Sequence, residues 1–260
     1  MPERMPVLFV SHGAPTLPFD DVPARRFLIE LARRAPRPKA ILIASAHWEA
    51  PTPSLNASVK LDTIHDFSGF PQALYELSYD APGAPDLAER AATLLRNAGY
   101  QPRLDETRGR DHGAWVPLML AWPAAEIPVI QVSLLRGQST HAHLALGAAL
   151  APLRDEGVLI IGSGGAVHNL RQVSWSGGKP PRWAEEFQTW MDQQLAAGNV
   201  DALLAYRGQV DSAQMAHPTE DHLMPLYVAL GAGLSDGGAE KLHGSFTFGS
   251  LSMASYGWGM

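Results

Sequence analysis

Residues 40–49 read AILIASAHWE, and this stretch decides the architecture. From Ala40 to Ala46 the run is apolar, interrupted only by Ser45, and it lacks the alternation of a strand with one wet face. Such a run fits a central strand buried on both sides, as in a parallel sheet covered by helices. Val7–Val10, Val129–Leu134 and Val158–Ile161 read the same way. The segments between them carry helical spacing. Phe27, Leu28, Leu31, Ala32 and Ala35 predict a helix over 23–35, ended by Pro36 and Pro38. Pro85 suits a first helical position, Leu87, Ala91, Leu94, Leu95 and Ala98 share a face, and Gly99 suits the C-terminal cap. Residues 139–154 read as a helix, and so does the heavy apolar stripe from Trp183 to Leu195. Residues 244–256 predict a last strand or hairpin. The pattern as a whole predicts an α/β fold over residues 1–260. It is a single domain with a central mixed, mostly parallel sheet flanked by helices.

Composition narrows the function. The chain has 260 residues, 46% hydrophobic and 18% charged, as in an ordinary globular protein. A net charge of −6 argues against a partner held through phosphates, so no nucleic acid is expected. No apolar run approaches the roughly 20 residues of a membrane span, and Met1–Met5 lead straight into a strand without a signal-peptide pattern. The expectation is a cytoplasmic protein with no membrane partner. The absence of cysteine excludes disulfides, thiolate metal sites and cysteine nucleophiles. Any metal must be held by nitrogen and oxygen, which makes the ten histidines the informative residues.

Their placement is the signal. His12 follows the first strand in Ser11-His12-Gly13, His47 follows the second in Ala46-His47-Trp48, and His168 follows the 158–161 strand after Gly164-Gly165. Ligand sites of α/β sheets gather at such strand ends. Thr219 is a candidate N-cap, which would put His222 in the first turn of a helix, where the neutral imidazole is favoured. His112 lies in a loop entering a short helix. His65 belongs to an aromatic-bearing loop, as a pocket wall or as a solvated residue. His141, His143 and His243 read as surface residues. Glu49, Asp66, Asp111, Glu220 and Asp221 adjoin these histidines and are candidates to orient their rings, or are solvated loop charges. Ser163 lacks any triad or oxyanion pattern around it, and no phosphate-binding loop is present.

The motifs carrying these histidines run in a fixed order. They are SHGAP (11–15), SAHWE (45–49), TIHDFSGFPQALYELSYDAPG (63–83), DHGAWVPL (111–118), VHNL (167–170), HPTEDHLMPLY (217–227) and GSLSM (249–253). With them the chain resembles the class III extradiol ring-cleavage dioxygenases, the protocatechuate 4,5-dioxygenase-like superfamily, and most of all its 4,5-DOPA dioxygenase branch. The resemblance implies a mononuclear site on one α/β domain. His12 and His47 map onto metal ligands, and His222 takes the place that a glutamate fills in other members, with Glu220 as the fallback. His168 maps onto the base beside the substrate and can also approach the metal. His112 maps onto a residue on the dioxygen side. His65, Trp48 and Trp115 are the candidates for substrate contact, with Phe67 and Phe70 as further walls. For Trp48, Phe67, Phe70 and Trp115 a core role is at least as natural.

The implied activity is insertion of O2 into a small catechol such as DOPA, caffeate or protocatechuate, opening the ring beside a hydroxylated carbon. One divalent ion per chain is implied: Fe(II) for activity, while Zn(II) also suits an all-histidine set. The implied partners are the catechol and O2. A zinc-dependent hydrolase on the same histidines, or a non-catalytic metal-binding member of the superfamily, are the alternatives. A carboxylated catechol calls for a cation in the pocket, and Arg108, Arg110 and Arg171 flank the motif histidines.

Overall fold

The structure is a computed structural model and describes residues 4–260. The strand-like runs form β1 (Val7–Ser11), β2 (Ala40–Ala50), β5 (Val129–Leu135) and β6 (Val158–Gly164), and two short strands the pattern does not predict, β3 (Ser54–Asn56) and β4 (Arg103–Asp105), lie between β2 and β5 in the chain. The C-terminal region adds β7 (Glu240–His243), β8 (Phe246–Thr247), β9 (Leu251–Ser252) and β10 (Ser255–Trp258). Eight strands make one mixed sheet in the order β4-β3-β5-β2-β6-β1-β10-β7, and β8 pairs with β9 as a separate hairpin. The four central strands, β5, β2, β6 and β1, are parallel to their neighbours in that run. β10 closes the other side antiparallel to β1.

Helices cover both faces, as the uninterrupted apolar strands require. Side chains alternate across the sheet. Phe9, Leu42, Val132 and Ile160 pack with the helices Pro85–Asn97 (α2), Thr140–Leu150 (α4), Arg182–Ala197 (α5) and Met224–Gly233 (α6). Leu8, Ile41, Val129 and Ile161 pack on the other face with Pro23–Leu31 (α1) and His112–Ala121 (α3). No helix among the described residues is long and apolar enough to cross a membrane.

Several local expectations shift. The first helix ends at Leu31 rather than at residue 35, and residues 32–35 form turns. The 139–154 segment is α-helical only to Leu150. Pro152 lacks the N–H that would continue the ladder, and Ala151–Glu156 tightens into a 3₁₀ turn. His143 is not a surface residue. It is buried, its Nδ1 bonds the Ser139 carbonyl at 2.9 Å and its Nε2 accepts from the Leu135 N–H at 3.0 Å. His243 is half-buried, stacked on Phe27 with ring centroids 4.8 Å apart.

All of α6 is buried, and it lies against α4 with almost no gap. A Cβ at Gly147 would sit 1.9 Å from the Val228 carbonyl oxygen, and one at Gly231 would sit 2.0 Å from that of Leu144. Backbone cannot move aside as a side-chain tip can. Gly231→Ala is therefore expected to destabilise the protein by about 1–3 kcal/mol. Urea unfolding should show a lower midpoint at unchanged slope, and an unshifted midpoint would mean the two helices can separate freely.

Candidate metal centre

The site lies at the C-terminal ends of the parallel strands. His12 directly follows β1, and its backbone N–H donates to the Gly164 carbonyl at 3.0 Å. His47 lies inside β2, which runs past Ala46 to Ala50. Its pairing with β5 jumps from Ala44↔Val132 to Glu49↔Leu134, so residues 45–48 bulge out of register. A bulge of this kind re-aims side chains beside a site. His222 is not in a helix. It sits in the turn before α6, and Thr219 caps nothing. Its carbonyl accepts from the Gly165 N–H at 2.9 Å. The approach needs a bare Cα at Gly164, where a Cβ would fall 2.1 Å from the His222 oxygen.

The hydrogen-bond partners fix the tautomers. Ser163 Oγ donates to the Gly113 carbonyl, so it accepts from His12 Nδ1–H at 3.0 Å. His47 Nδ1 lies 3.4 Å from the Asp66 carboxylate, and His222 Nδ1 donates to Asp221. His12 and His222 thus carry their hydrogen on the outer nitrogen and keep an Nε2 lone pair, and the Asp66 carboxylate beside His47 Nδ1 favours the same form there. His12 Nε2 and His47 Nε2 face each other at 3.1 Å, and donor nitrogens of His12, His47 and His222 all lie within 4.8 Å of one another. Lone pairs held this close repel unless a cation lies between them. Two nitrogens each about 2.0–2.1 Å from one ion are about 2.8–3.4 Å apart for octahedral to tetrahedral angles. The donor set therefore fits a divalent ion, and its chemistry suits iron and zinc alike.

Burial holds His12, His47 and His168 neutral. Burial lowers the His12 pKa well below the usual value, and the nearby His47 and His112 rings add to this. Burial and the same crowding lower His47 despite the opposing pull of Asp66. His168 is pushed down to about 3, by burial first and by His222 next. Burial acts the other way on Asp66 and Asp221. Hydrogen bonds from His112 and His222 outweigh it and hold both carboxyls below the usual range.

His112 and His168 join the cluster. His112 Nδ1 donates to Asp66 at 2.9 Å, and its ring centroid is 4.0 Å from that of His47. The same Asp66 oxygen accepts the His112 backbone N–H at 2.9 Å. His168 stacks on His222, centroids 3.5 Å apart and planes 6° from parallel. Backbone bonds hold this pair: His168 N–H to the Ala216 carbonyl, and His217 Nε2–H to that of Ala166, each at 3.0 Å. No feature of the sequence singles out buried His217 as this strut. Asp111, fully buried, accepts from Ser45, Gln131 and Arg108 and ties the β2 bulge to the start of α3. Glu220 binds Tyr206 and Arg207, each at 2.7 Å, and so turns away from the histidines.

The five histidines floor a cavity of about 200 Å³, below the roughly 300–1,000 Å³ of drug-sized ligand pockets. Phe67 and Phe70 line it. The other expected substrate contacts do not. Trp115 is fully buried with its indole N–H on the Ile64 carbonyl, and Trp48 lies under the Arg108 guanidinium. His65 bonds the Leu77 carbonyl and packs edge-on behind Phe67. Leu170, Trp175 and Phe248 complete the mouth from loops far apart in sequence.

Comparison with known proteins agrees with this centre. Residues 7–259 match the family model described as the catalytic LigB subunit of aromatic ring-opening dioxygenase. The chain belongs to this family. It is 44% identical to a 4,5-DOPA dioxygenase extradiol of Beta vulgaris over 95% of this chain and 94% of that one. It is 41% identical to a 4,5-DOPA dioxygenase extradiol of Escherichia coli (strain K12) over 88% and 85%. A crystal structure of an uncharacterized protein from Escherichia coli K12 superposes with a TM-score of 0.83 at 34% identity, covering 98% of this chain and 100% of that one. The LigB-family chain is thus an extradiol ring-opening dioxygenase with a histidine cluster able to hold a divalent metal.

Neutral buried histidines link stability to pH. An unfolded histidine titrates near 6.5, whereas His168 titrates at about 3 in the fold. Between these values the unfolded chain binds more protons, so stability falls as pH drops from about 6.5. The metal-free protein is expected to lose denaturation temperature steadily from pH 7 to pH 5. A flat profile would contradict the neutral cluster.

Proposed function

We propose that the chain is a single catalytic domain that uses one Fe(II) ion to cleave a small catechol with O2. The observation that carries this reading is the convergence of His12, His47 and His222 at the floor of an aromatic-walled cavity. His112 and His168 stand beside them with ring nitrogens uncommitted to the cluster. When bound, Fe(II) acidifies the catechol hydroxyls and lets electron density pass from substrate to dioxygen.

The remaining work belongs to side chains. In the proposal His168 is the base rather than a ligand. Its ring stacks face to face on that of His222. No hydrogen bond to another described residue engages its ring. The lone pair is therefore free to take a catechol proton, and the negative charge of the catecholate then favours the imidazolium. His112, with Nδ1–H fixed on Asp66, presents Nε2 to accept a proton and later return it. Phe67 and Phe70 exclude water and hold the ring beside the oxygen. Both oxygen atoms end in the open-chain product, so no external reductant is needed. A ferrous site suits a reducing compartment, which agrees with the cytoplasmic location expected from the sequence.

The direct experiment loads the protein anaerobically with Fe(II), or with Zn(II) as control, and admits air with catechol, L-DOPA, caffeate and protocatechuate. Oxygen uptake and a yellow semialdehyde should appear with iron only. Turnover with zinc and no oxygen demand would move the site to hydrolysis. For the base, His168→Ala should lower kcat by about 10²–10⁴-fold while bound iron stays stoichiometric. Loss of the iron itself would make His168 a ligand.

A further inference from the structure

The chain between β3 and α2 loops out over the histidines and is fastened at its base. Arg110 holds that base. Its carbonyl accepts the Ile64 N–H at 2.7 Å, and its guanidinium donates to the carbonyls of Tyr79 at 3.4 Å and Pro82 at 3.0 Å. Thr63 Oγ1 accepts the Tyr79 N–H at 2.9 Å, and the His65 ring bonds the Leu77 carbonyl at 3.0 Å. Residues 65–77 form the outer part of the loop, and they carry Phe67 and Phe70, the aromatic walls of the cavity. Among the described residues, every hydrogen bond that leaves 65–77 is accepted by Asp66.

The Asp66 carboxylate divides its oxygens between two histidines of the site. One oxygen accepts both the backbone N–H and the Nδ1–H of His112, each at 2.9 Å. The other faces His47 Nδ1 at 3.4 Å. One side chain thus meets a histidine of the metal cluster and the histidine beside it, and does so from the segment that walls the cavity. A metal ion on His47 Nε2 withdraws electron density from the ring, makes Nδ1–H a stronger donor and strengthens its attraction to a carboxylate. Binding free energies are reciprocal. Whatever the ion adds to the hold on the loop, a held loop adds to the hold on the ion.

Resting on the metal-dependent reading above, we infer that Asp66 is a positioning residue that couples metal binding to the placement of the aromatic wall. Its own neighbour, Phe67, stands edge-on to His112 with ring centroids 5.9 Å apart, and 6.3 Å from Trp115. Leu74 is buried farther along the segment. These apolar contacts place the wall but carry no charge, so an ion in the cluster acts on the segment through the Asp66 carboxylate.

The test uses the full chain and Zn(II), so it does not depend on turnover. Zn(II) affinity is measured by competition with a chromophoric chelator, and amide hydrogen exchange of residues 65–77 is followed with and without saturating Zn(II). In the parent protein Zn(II) should slow exchange in this segment by about 5–150-fold. Asp66→Ala should weaken Zn(II) binding by about 10–100-fold and abolish the slowing even at saturation. Asp66→Asn keeps an oxygen for His112 but removes the charge facing His47. It should exchange like the parent without metal, yet bind Zn(II) more weakly and lose the Zn(II)-dependent slowing. A purely structural Asp66 would alter exchange without metal and leave the response to Zn(II) intact, and that result would overturn the inference. So would unchanged Zn(II) affinity in both variants, or Zn(II) binding to the parent with no slowing. In each of these cases, ring cleavage of a catechol by the Fe(II)-loaded parent upholds the reading beneath. A parent chain that binds neither ion would overturn both.

Discussion

Everything in this molecule depends on keeping three imidazole lone pairs turned towards one point. Left alone, the rings of His12, His47 and His222 would rotate or protonate to escape each other. The fold prevents both. Outer hydrogen bonds to Ser163 and Asp221 orient His12 and His222, and the Asp66 carboxylate 3.4 Å away faces His47 Nδ1. Burial makes the charged form unfavourable for His12 and His47. The cluster is therefore preorganised, and a divalent ion relieves a repulsion that the backbone has already imposed.

The sheet supplies the rigidity this needs. His12 hangs from the end of β1, His47 from a bulge in β2, and the backbone of the His222 turn is hydrogen-bonded to the end of β6. These three strands are adjacent in the order β2-β6-β1, so the three histidines inherit their spacing from strand pairing. Glycine at 164 lets the His222 turn approach, and the glycines of α4 and α6 let the helix behind that turn sink into the core. A shift of one helix would move one donor nitrogen, which couples packing to metal geometry.

Much of this was legible in the chain. The apolar run at 40–46 identifies a central strand because burial on both faces leaves no room for polar alternation. His12 is legible because the end of β1 is readable from period and glycine placement, whereas β2 runs on through His47 to Ala50. The ordered motifs supplied His112, His168 and His222. What the sequence hid depends on contacts between distant segments. The bulge at 45–48 is a matter of register with β5 and leaves no local mark. His143 looks polar and exposed on its own helix, yet the end of β5 lies against it. Trp115 and Trp48 resemble pocket aromatics in sequence, but only packing shows the first enclosed and the second beneath Arg108. Trp175 and Phe248 stand 73 positions apart in the sequence and meet only because the two loops are hydrogen-bonded.

The cavity divides into a histidine floor and an apolar mouth. Polarity is confined to the floor, where every carboxylate is already engaged by a histidine or by the bonds under Asp111. The walls and mouth offer surface but no charge. Charge enters such a site chiefly with the metal and with the deprotonated catechol, and the two largely neutralise each other. Catalysis thus draws on the floor, while the walls and mouth supply apolar surface.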